Sequence, residues 1–320
     1  MEIFFSSFES ISLAIVKVFL MGVVGYLGLH FRLLGEQSIK DLSRLLINVV
    51  LPCFTFSNII TRFNPSEFRG WWTLPLLQLL LFAMALGVGW LILQTSPGLK
   101  EKGEFLSVIS FQNGSFLPIP LVAAIFPDTA DKYFIYIFLF VLSWSVFVYS
   151  AGIFLISKKK WEAKNLKYVF NAPFVVTLVS IFLVLIGVQD KVPGLILDPV
   201  RAIGNCTVPL AMIVLGGLIC MNFQYKCRLD KTVFFKLAVG KLLILPLFAL
   251  LVIKLLGLSP PFAFIFFLQS TMPAATSLAI ISRAYDADYC FIGQSIFYMY
   301  LCSIVTVPLY LSLYKLLIGW

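Results

Sequence analysis

Charge is the scarcest commodity in this sequence: Asp, Glu, Lys and Arg together make up 12% of 320 residues, and there is a single histidine, His30. Soluble domains carry about 25% charged residues, so this composition excludes an ordinary water-soluble fold. No CxxC pair, HExxH or GxSxG occurs, and no two carboxylates share the middle of one apolar stretch. A metal centre, a cofactor site and hydrolytic chemistry therefore have no anchor, and neither an enzyme nor a cofactor is expected. The six cysteines (Cys53, Cys206, Cys220, Cys227, Cys290 and Cys302) fit small buried apolar side chains. The segment Met1 to Ser10 holds Glu2 and Glu9 but no Lys or Arg, the reverse of a cleaved secretory signal.

What fills the chain instead is apolar. Hydrophobic residues reach 60%, and mean hydropathy is +0.98. A bilayer core of roughly 30 Å needs about 20 helical residues per crossing. Ten such crossings are read near 8–30, 41–60, 71–93, 103–126, 132–157, 170–188, 198–221, 233–257, 261–281 and 290–317. Continuous rather than alternating apolar runs exclude a barrel. The expected fold is an all-α polytopic membrane protein with ten transmembrane helices and no soluble domain. It lies in the cell or inner membrane with the bilayer as its first partner.

Polar residues inside these runs repeat. Asp41, Arg44, Asn48 and Pro52 recur at one fixed offset as Asp198, Arg201, Asn205 and Pro209, and Gln112 recurs as Gln269. Ala130-Asp131-x-x-Phe134-Ile135 recurs as Ala287-Asp288-x-x-Phe291-Ile292 without a gap. Polar residues are costly in lipid, so this repetition marks an internal duplication of the kind secondary transporters use. The chain then divides into a first five-helix repeat (1–157), a basic cytoplasmic loop (158–169) and a second five-helix repeat (170–320). An odd number of crossings per half makes the second repeat inverted. Alternate loops hold most of the Lys and Arg, including Lys100, Lys102, Lys158, Lys164, Lys226 and Lys231. The positive-inside rule makes those loops cytoplasmic and puts both termini on the opposite face. The net charge of +9 is this topology signal and calls for no nucleic acid; the Lys158–Lys167 loop also suits anionic lipid head groups.

The fourth and ninth crossings cannot run as regular helices. One reads Gln112-Asn113-Gly114-Ser115-Phe116-Leu-Pro118-Ile-Pro120, the other Gln269-Ser-Thr271-Met-Pro273-Ala-Ala-Thr276-Ser277. Proline lacks an N–H and clashes with the preceding turn. Backbone freed at mid-membrane must face protein or a water-filled cavity. Two breaks at equivalent depth predict a crossover with two half-helix N termini directed at one cavity, which favours an anion. The Asp41–Arg44 and Asp198–Arg201 pairs read as structural, and Asn48 and Asn205 as cavity or interhelix residues. Lys236 is expected to snorkel, His30 to sit at an interface, and Lys17 and Lys241 to stay open as counter-charges.

These same residues resemble the auxin efflux carrier family, over essentially the whole length. The resemblance is carried by Leu42-Ser-Arg-Leu-Leu-Ile-Asn-Val-Val-Leu-Pro52, by Phe111-Gln-Asn113-Gly-Ser-Phe-Leu-Pro-Ile-Pro120, by Val208-Pro209-Leu-Ala-Met-Ile-Val-Leu-Gly216 and by Met272-Pro273-Ala-Ala-Thr-Ser277. It implies a scaffold and a transport domain, a homodimer, and elevator-type alternating access for small organic anions such as auxin-like or dicarboxylic acids. Asn113 matches the family's fourth-helix Asn and inherits a carboxylate-binding role. Ser277 stands where the family often has a second Asn, so that partner role does not carry over.

The expected function is thus a secondary transporter, an efflux carrier of small organic anions. Asn113 and the backbone N–H groups beyond Pro118 and Pro273 would hold the carboxylate. Gln112, Gly114, Ser115, Gln269, Thr271, Thr276 and Ser277 would line the site, and Phe116 would carry apolar parts of the substrate. Two alternatives remain: a sodium-coupled organic anion symporter, and a non-transporting membrane sensor on the same fold.

Overall fold

A computed structural model describes residues 2–156, 169–223, 229–285 and 287–319. The basic loop expected at 158–169 and Cys227 lie largely outside these residues. The described chain is helical, with seven helices long and apolar enough to cross a membrane. In chain order the helices are α1 (Glu2–His30), α2 (Glu36–Arg62), α3 (Trp71–Gln94), α4 (Lys102–Ser110), α5 (Pro118–Ile125) and α6 (Ala130–Phe147). They continue as α7 (Ala172–Leu185), α8 (Gly194–Phe223), α9 (Lys231–Leu256), α10 (Pro260–Thr271), α11 (Ser277–Ala284) and α12 (Tyr289–Leu317). The pairs α4/α5 and α10/α11 are the expected broken segments. Helix α2 begins at Glu36, several residues before the apolar run, because its first turns are amphipathic rather than apolar.

Proline shapes these helices. Pro52 cannot donate to the carbonyl one turn back, and α2 widens into a π turn over Leu46–Val50. Pro246 accompanies the same distortion at Gly240–Ile244 of α9. In α8 the counterpart of the α2 distortion is a full interruption, a turn at Asn205–Cys206 before helix resumes at Thr207.

Counterpart residues meet in space. The Gln112 amide Nε2 lies 3.4 Å from Gln269 Oε1, and the Thr207 hydroxyl lies 3.5 Å from the Val50 carbonyl, each pair separated by 157 positions. Helix packing follows the same exchange: α1 lies on the second part of α8, as α7 lies on the second part of α2. The α1–α8 contact is backbone against backbone. A Cβ on Gly25 would sit 1.9 Å from the Ile213 carbonyl oxygen, and one on Gly216 1.8 Å from that of Gly22. Only glycine allows this approach, which in lipid replaces hydrophobic driving force with close van der Waals contact.

Candidate functional site

The two broken segments cross as a short antiparallel bridge at Gln112 and Ala274. The Asn113 N–H donates to the Pro273 carbonyl at 2.8 Å, and the Ala275 N–H to the Phe111 carbonyl at 2.9 Å. Side chains take further backbone acceptors: Gln269 Nε2 donates to the Gly114 carbonyl at 2.9 Å and Trp144 Nε1 to that of Gln112 at 3.2 Å. Buried backbone polar groups need such partners, and here they fix both breaks against one another.

Beyond the bridge, the N-terminal ends of α5 and α11 open into one cavity of about 150 Å³. Its walls come from α2 (Ser43, Ile47, Leu51, Thr55), α6 (Phe138, Val141, Leu142, Trp144, Ser145), α7 with its cap (Asn171, Pro173, Phe174, Thr177) and Leu218 of α8. Among the described residues, no acidic or basic side chain lines it. Among the described residues, the N–H groups of Gly114, Phe116, Thr276 and Ser277 carry no protein acceptor. Half-helix N termini also carry partial positive charge. The cavity therefore offers apolar walls, hydroxyls and a set of unspent donors. That is a setting for a small acceptor-rich ligand, since pockets for drug-sized molecules measure about 300–1,000 Å³.

The structure gathers Asn113, Gly114, Ser115, Phe116, Thr276 and Ser277 on this cavity. Asn113 serves the fold as well: its Oδ1 accepts from the Ser115 and Leu117 N–H groups, both at 3.3 Å, and its Nδ2 donates to the buried Tyr300 hydroxyl. Other expected residues stand behind the wall. Gln112 and Gln269 are buried in the crossover, Gln112 donating to Gln78 Oε1 at 2.6 Å. The Thr271 hydroxyl turns back to the Leu268 carbonyl at 2.7 Å. Pro118 opens α5 without lining the cavity, and Pro273 contributes its carbonyl to the bridge.

Asn48 and Asn205 do not reach the cavity. Both are exposed, and the Asn48 amide is spent on the Arg44 carbonyl, 2.9 Å away, inside the widened turn of α2. Asp41 and Arg44 pair at 3.3 Å on the surface as expected, whereas Asp198 and Arg201 are exposed and form no ion pair among the described residues. Lys17 is exposed and away from the site. Lys236 reaches the Thr95 carbonyl at 2.8 Å and Ser96 Oγ at 2.7 Å beyond the end of α3.

Sequence reasoning missed Thr55, Trp144, Ser145, Asn171, Phe174 and Thr177 on the wall, and Tyr300 and Gln78 behind it. One signal was available: Asn171 before Pro173 is a helix-start pattern, and its Oδ1 caps the Phe174 N–H at 3.1 Å.

The membrane transport protein family matches residues 10–311. The chain belongs to this family, which takes in the auxin efflux and PIN-like carriers. An uncharacterized transporter of Methanothermobacter thermautotrophicus is 26% identical over 317 residues, covering 96% of this chain and 98% of that protein. A second uncharacterized transporter, from Methanocaldococcus jannaschii, is 24% identical over 315 residues, 92% of this chain and 96% of the other. Protein PIN-LIKES 1 of Arabidopsis thaliana is 20% identical over 379 aligned positions, 98% of this chain and 80% of its own length. Membership in the membrane transport protein family makes the chain an integral, multi-pass membrane transporter rather than an enzyme.

Proposed function

We propose that this transporter carries small organic anions, with the carboxylate held at the crossover of the two broken helices. The observation that carries the reading is the pair of helix N termini sharing one uncharged cavity, with the N–H groups of Gly114, Phe116, Thr276 and Ser277 unspent. Backbone donors at helix N termini suit an anion, and the absence of a lining carboxylate removes the repulsion that would oppose it. The Asn113 amide orients the head group, and the hydroxyls of Ser115, Thr276 and Ser277 complete its shell. Phe116, Phe174 and Trp144 receive the apolar remainder, which favours aromatic or short-chain monocarboxylates over polar solutes.

The same reading assigns ten crossings in two inverted repeats, 1–157 and 170–320, joined by the basic segment. It is supported by seven long apolar helices, the shorter α7, and the two broken pairs. Helices α2, α7 and α8, with α1 packed on α8, form a scaffold against which the crossover bundle slides, because α2, α7 and α8 line one side of the cavity and the broken helices with α6 the other. Elevator-type movement of the crossover would carry the site from one membrane face to the other, both termini lying on the non-cytoplasmic side. The assembly is a homodimer in the bilayer, following the family resemblance.

The test is charge movement in proteoliposomes on addition of indole-3-acetate, malonate, malate or benzoate, comparing wild type with Thr276→Ala and Asn171→Ala. Carboxylate-dependent current in the wild type, weakened in both variants, supports the assignment. Saturable binding of these acids with neither current nor exchange would make the protein a sensor instead.

A further inference from the structure

One carbonyl end of the crossover is served by a cation from the chain itself. In an unbroken helix the Asn113 N–H would bond to the Ile109 carbonyl, but here it goes to Pro273. The Ile109 oxygen is thereby orphaned at the C-terminal end of α4, where the helix dipole is negative. Lys241 takes it: Nζ donates to this oxygen at 2.8 Å, and the side chain is 0% exposed. No carboxylate lies within 4.0 Å of Nζ among the described residues, and the ammonium has no second protein partner there. A fully buried cation without a counter-ion is costly and rare within membrane helices, so its retention asks for a function.

The local sequence is built to deliver it. The π turn before Pro246 re-aims the Lys241 side chain, and Gly240 lets this backbone lie against α4. A Cβ on Gly240 would fall 2.6 Å from Ile109 Cδ1 and 2.5 Å from Ile92 Cδ1. The other half has no such device. At the end of α10, Ser270 Oγ donates to the Phe267 carbonyl at 2.6 Å and Thr271 Oγ1 to that of Leu268 at 2.7 Å. The position equivalent to Lys241 in the first half is Met84. One broken helix therefore ends on neutral hydroxyls and the other on the Lys241 side-chain nitrogen.

Carbonyl ends of broken helices are where transporters of this general design hold a free coupling cation. We propose that Lys241 supplies this cation in tethered form, so that the crossover draws an ammonium from its own chain rather than sodium from solution, and anion carriage needs no co-transported metal ion. The proposal rests on the transporter reading above and deepens it by naming what stands in the cation position.

Two arms test it. In the first, purified full-length protein is unfolded thermally in sodium chloride, methylammonium chloride or N-methylglucamine chloride, for wild type, Lys241→Ala and Lys241→Met. The wild type is expected to show one Tm in all three salts. Lys241→Ala, which vacates the space beside Ile109, is expected to unfold earlier and to regain several degrees in methylammonium or sodium by mass action. The bulkier Lys241→Met fills that space and is expected to fold but to gain nothing. In the second arm, uptake of indole-3-acetate and malonate is measured in proteoliposomes. Wild-type flux should be independent of sodium and fall at least tenfold in Lys241→Met.

A wild-type flux that requires sodium overturns the proposal. So does Lys241→Met carrying at the wild-type rate, or Lys241→Ala showing no cation-dependent Tm, which would leave Lys241 as a helix cap only. If no carboxylate moves in any sample, the organic-anion reading fails while the thermal arm still decides the occupancy of the α4 end.

Discussion

Replacing Asn113 with Asp separates binding from folding at the crossover. In Asn113→Asp one oxygen still accepts from the Ser115 and Leu117 N–H groups, and the Tyr300 hydroxyl reverses to donate to the other. The added charge sits at the N terminus of α5, where it stabilises by about 0.3–1 kcal/mol. These terms offset part of the cost of burying a carboxylate at a position only 4% exposed. A bound carboxylate is another matter, because it now faces a like charge. At about 5 Å and an effective dielectric of about 20, the repulsion is roughly 3 kcal/mol, or about 200-fold in Kd. Asn113→Ala should behave differently: it strands a Tyr300 hydroxyl that is only 1% exposed, at a cost of about 1–3 kcal/mol. Binding measured by calorimetry on detergent-solubilised protein, beside thermal unfolding of all three forms, gives the comparison. The expected pattern is affinity lost about 200-fold for Asp beyond any change in Tm, and a lowered Tm with a smaller loss of affinity for Ala. An Asn113→Asp protein that binds indole-3-acetate as tightly as wild type would place the anion elsewhere and refute the reasoning.

Four further outcomes are expected. Gly216→Ala forces α1 and α8 apart, because its Cβ would meet the Gly22 carbonyl oxygen at 1.8 Å, and should cost about 1–3 kcal/mol or more; Gly87→Ala, with nothing within 4 Å of its Cβ, should instead gain about 0.5–1 kcal/mol, and opposite Tm shifts check both. Phe116→Ala should weaken binding of indole-3-acetate by tenfold or more while barely changing that of malonate, which competition binding will read. The Asp230 carboxyl caps α9 by accepting from the Val233 and Thr232 N–H groups, which hold it below its ordinary value; its contribution is present at neutral pH and lost as pH falls through the lowered value, so the Tm gap between wild type and Asp230→Ala should close in acid. Arg62 of α2 pairs with Asp131 of α6 at the surface, and a double-mutant cycle should return a coupling below about 1 kcal/mol, since both partners remain in contact with solvent.

The sequence made the crossover legible because its marks are covalent: Pro118, Pro120 and Pro273 cannot donate, and Gly114 tolerates an irregular backbone. The internal repeat made the counterpart of each break findable, and Gln112 and Gln269 do meet. The same repeat misled the search for the cavity wall. It drew attention to Asn48 and Asn205, repeated residues that sit at helix distortions and face outward. It drew attention away from Asn171, Trp144 and Tyr300, whose counterparts are Ala14, Leu301 and Ser143. The repeated residues Gln112 and Gln269 serve the frame of the crossover, whereas the wall residues Asn171 and Trp144 have no counterpart of the same type at the 157-residue offset. Which face of α2 or α7 turns inward is decided by packing across segments far apart in the chain, and hydropathy alone could not give it.

Backbone accounting at the crossover explains why a break this deep in a membrane is tolerated at all. Each interruption frees both donors and acceptors, and a lipid environment satisfies neither. On the bridge side several carbonyls are satisfied within the protein: those of Phe111, Gln112, Gly114 and Pro273 are taken by Ala275, Trp144, Gln269 and Asn113, and that of Ile109 by Lys241. On the cavity side they do not, and the N–H groups of Gly114, Phe116, Thr276 and Ser277 remain. The fold thus satisfies these acceptors internally and leaves the cavity-side donors to be satisfied by something that enters. An anion does this better than water, because its charge also meets two helix dipoles. On the proposed reading, the break that looks like a defect in two helices is what would let an uncharged cavity select negative charge.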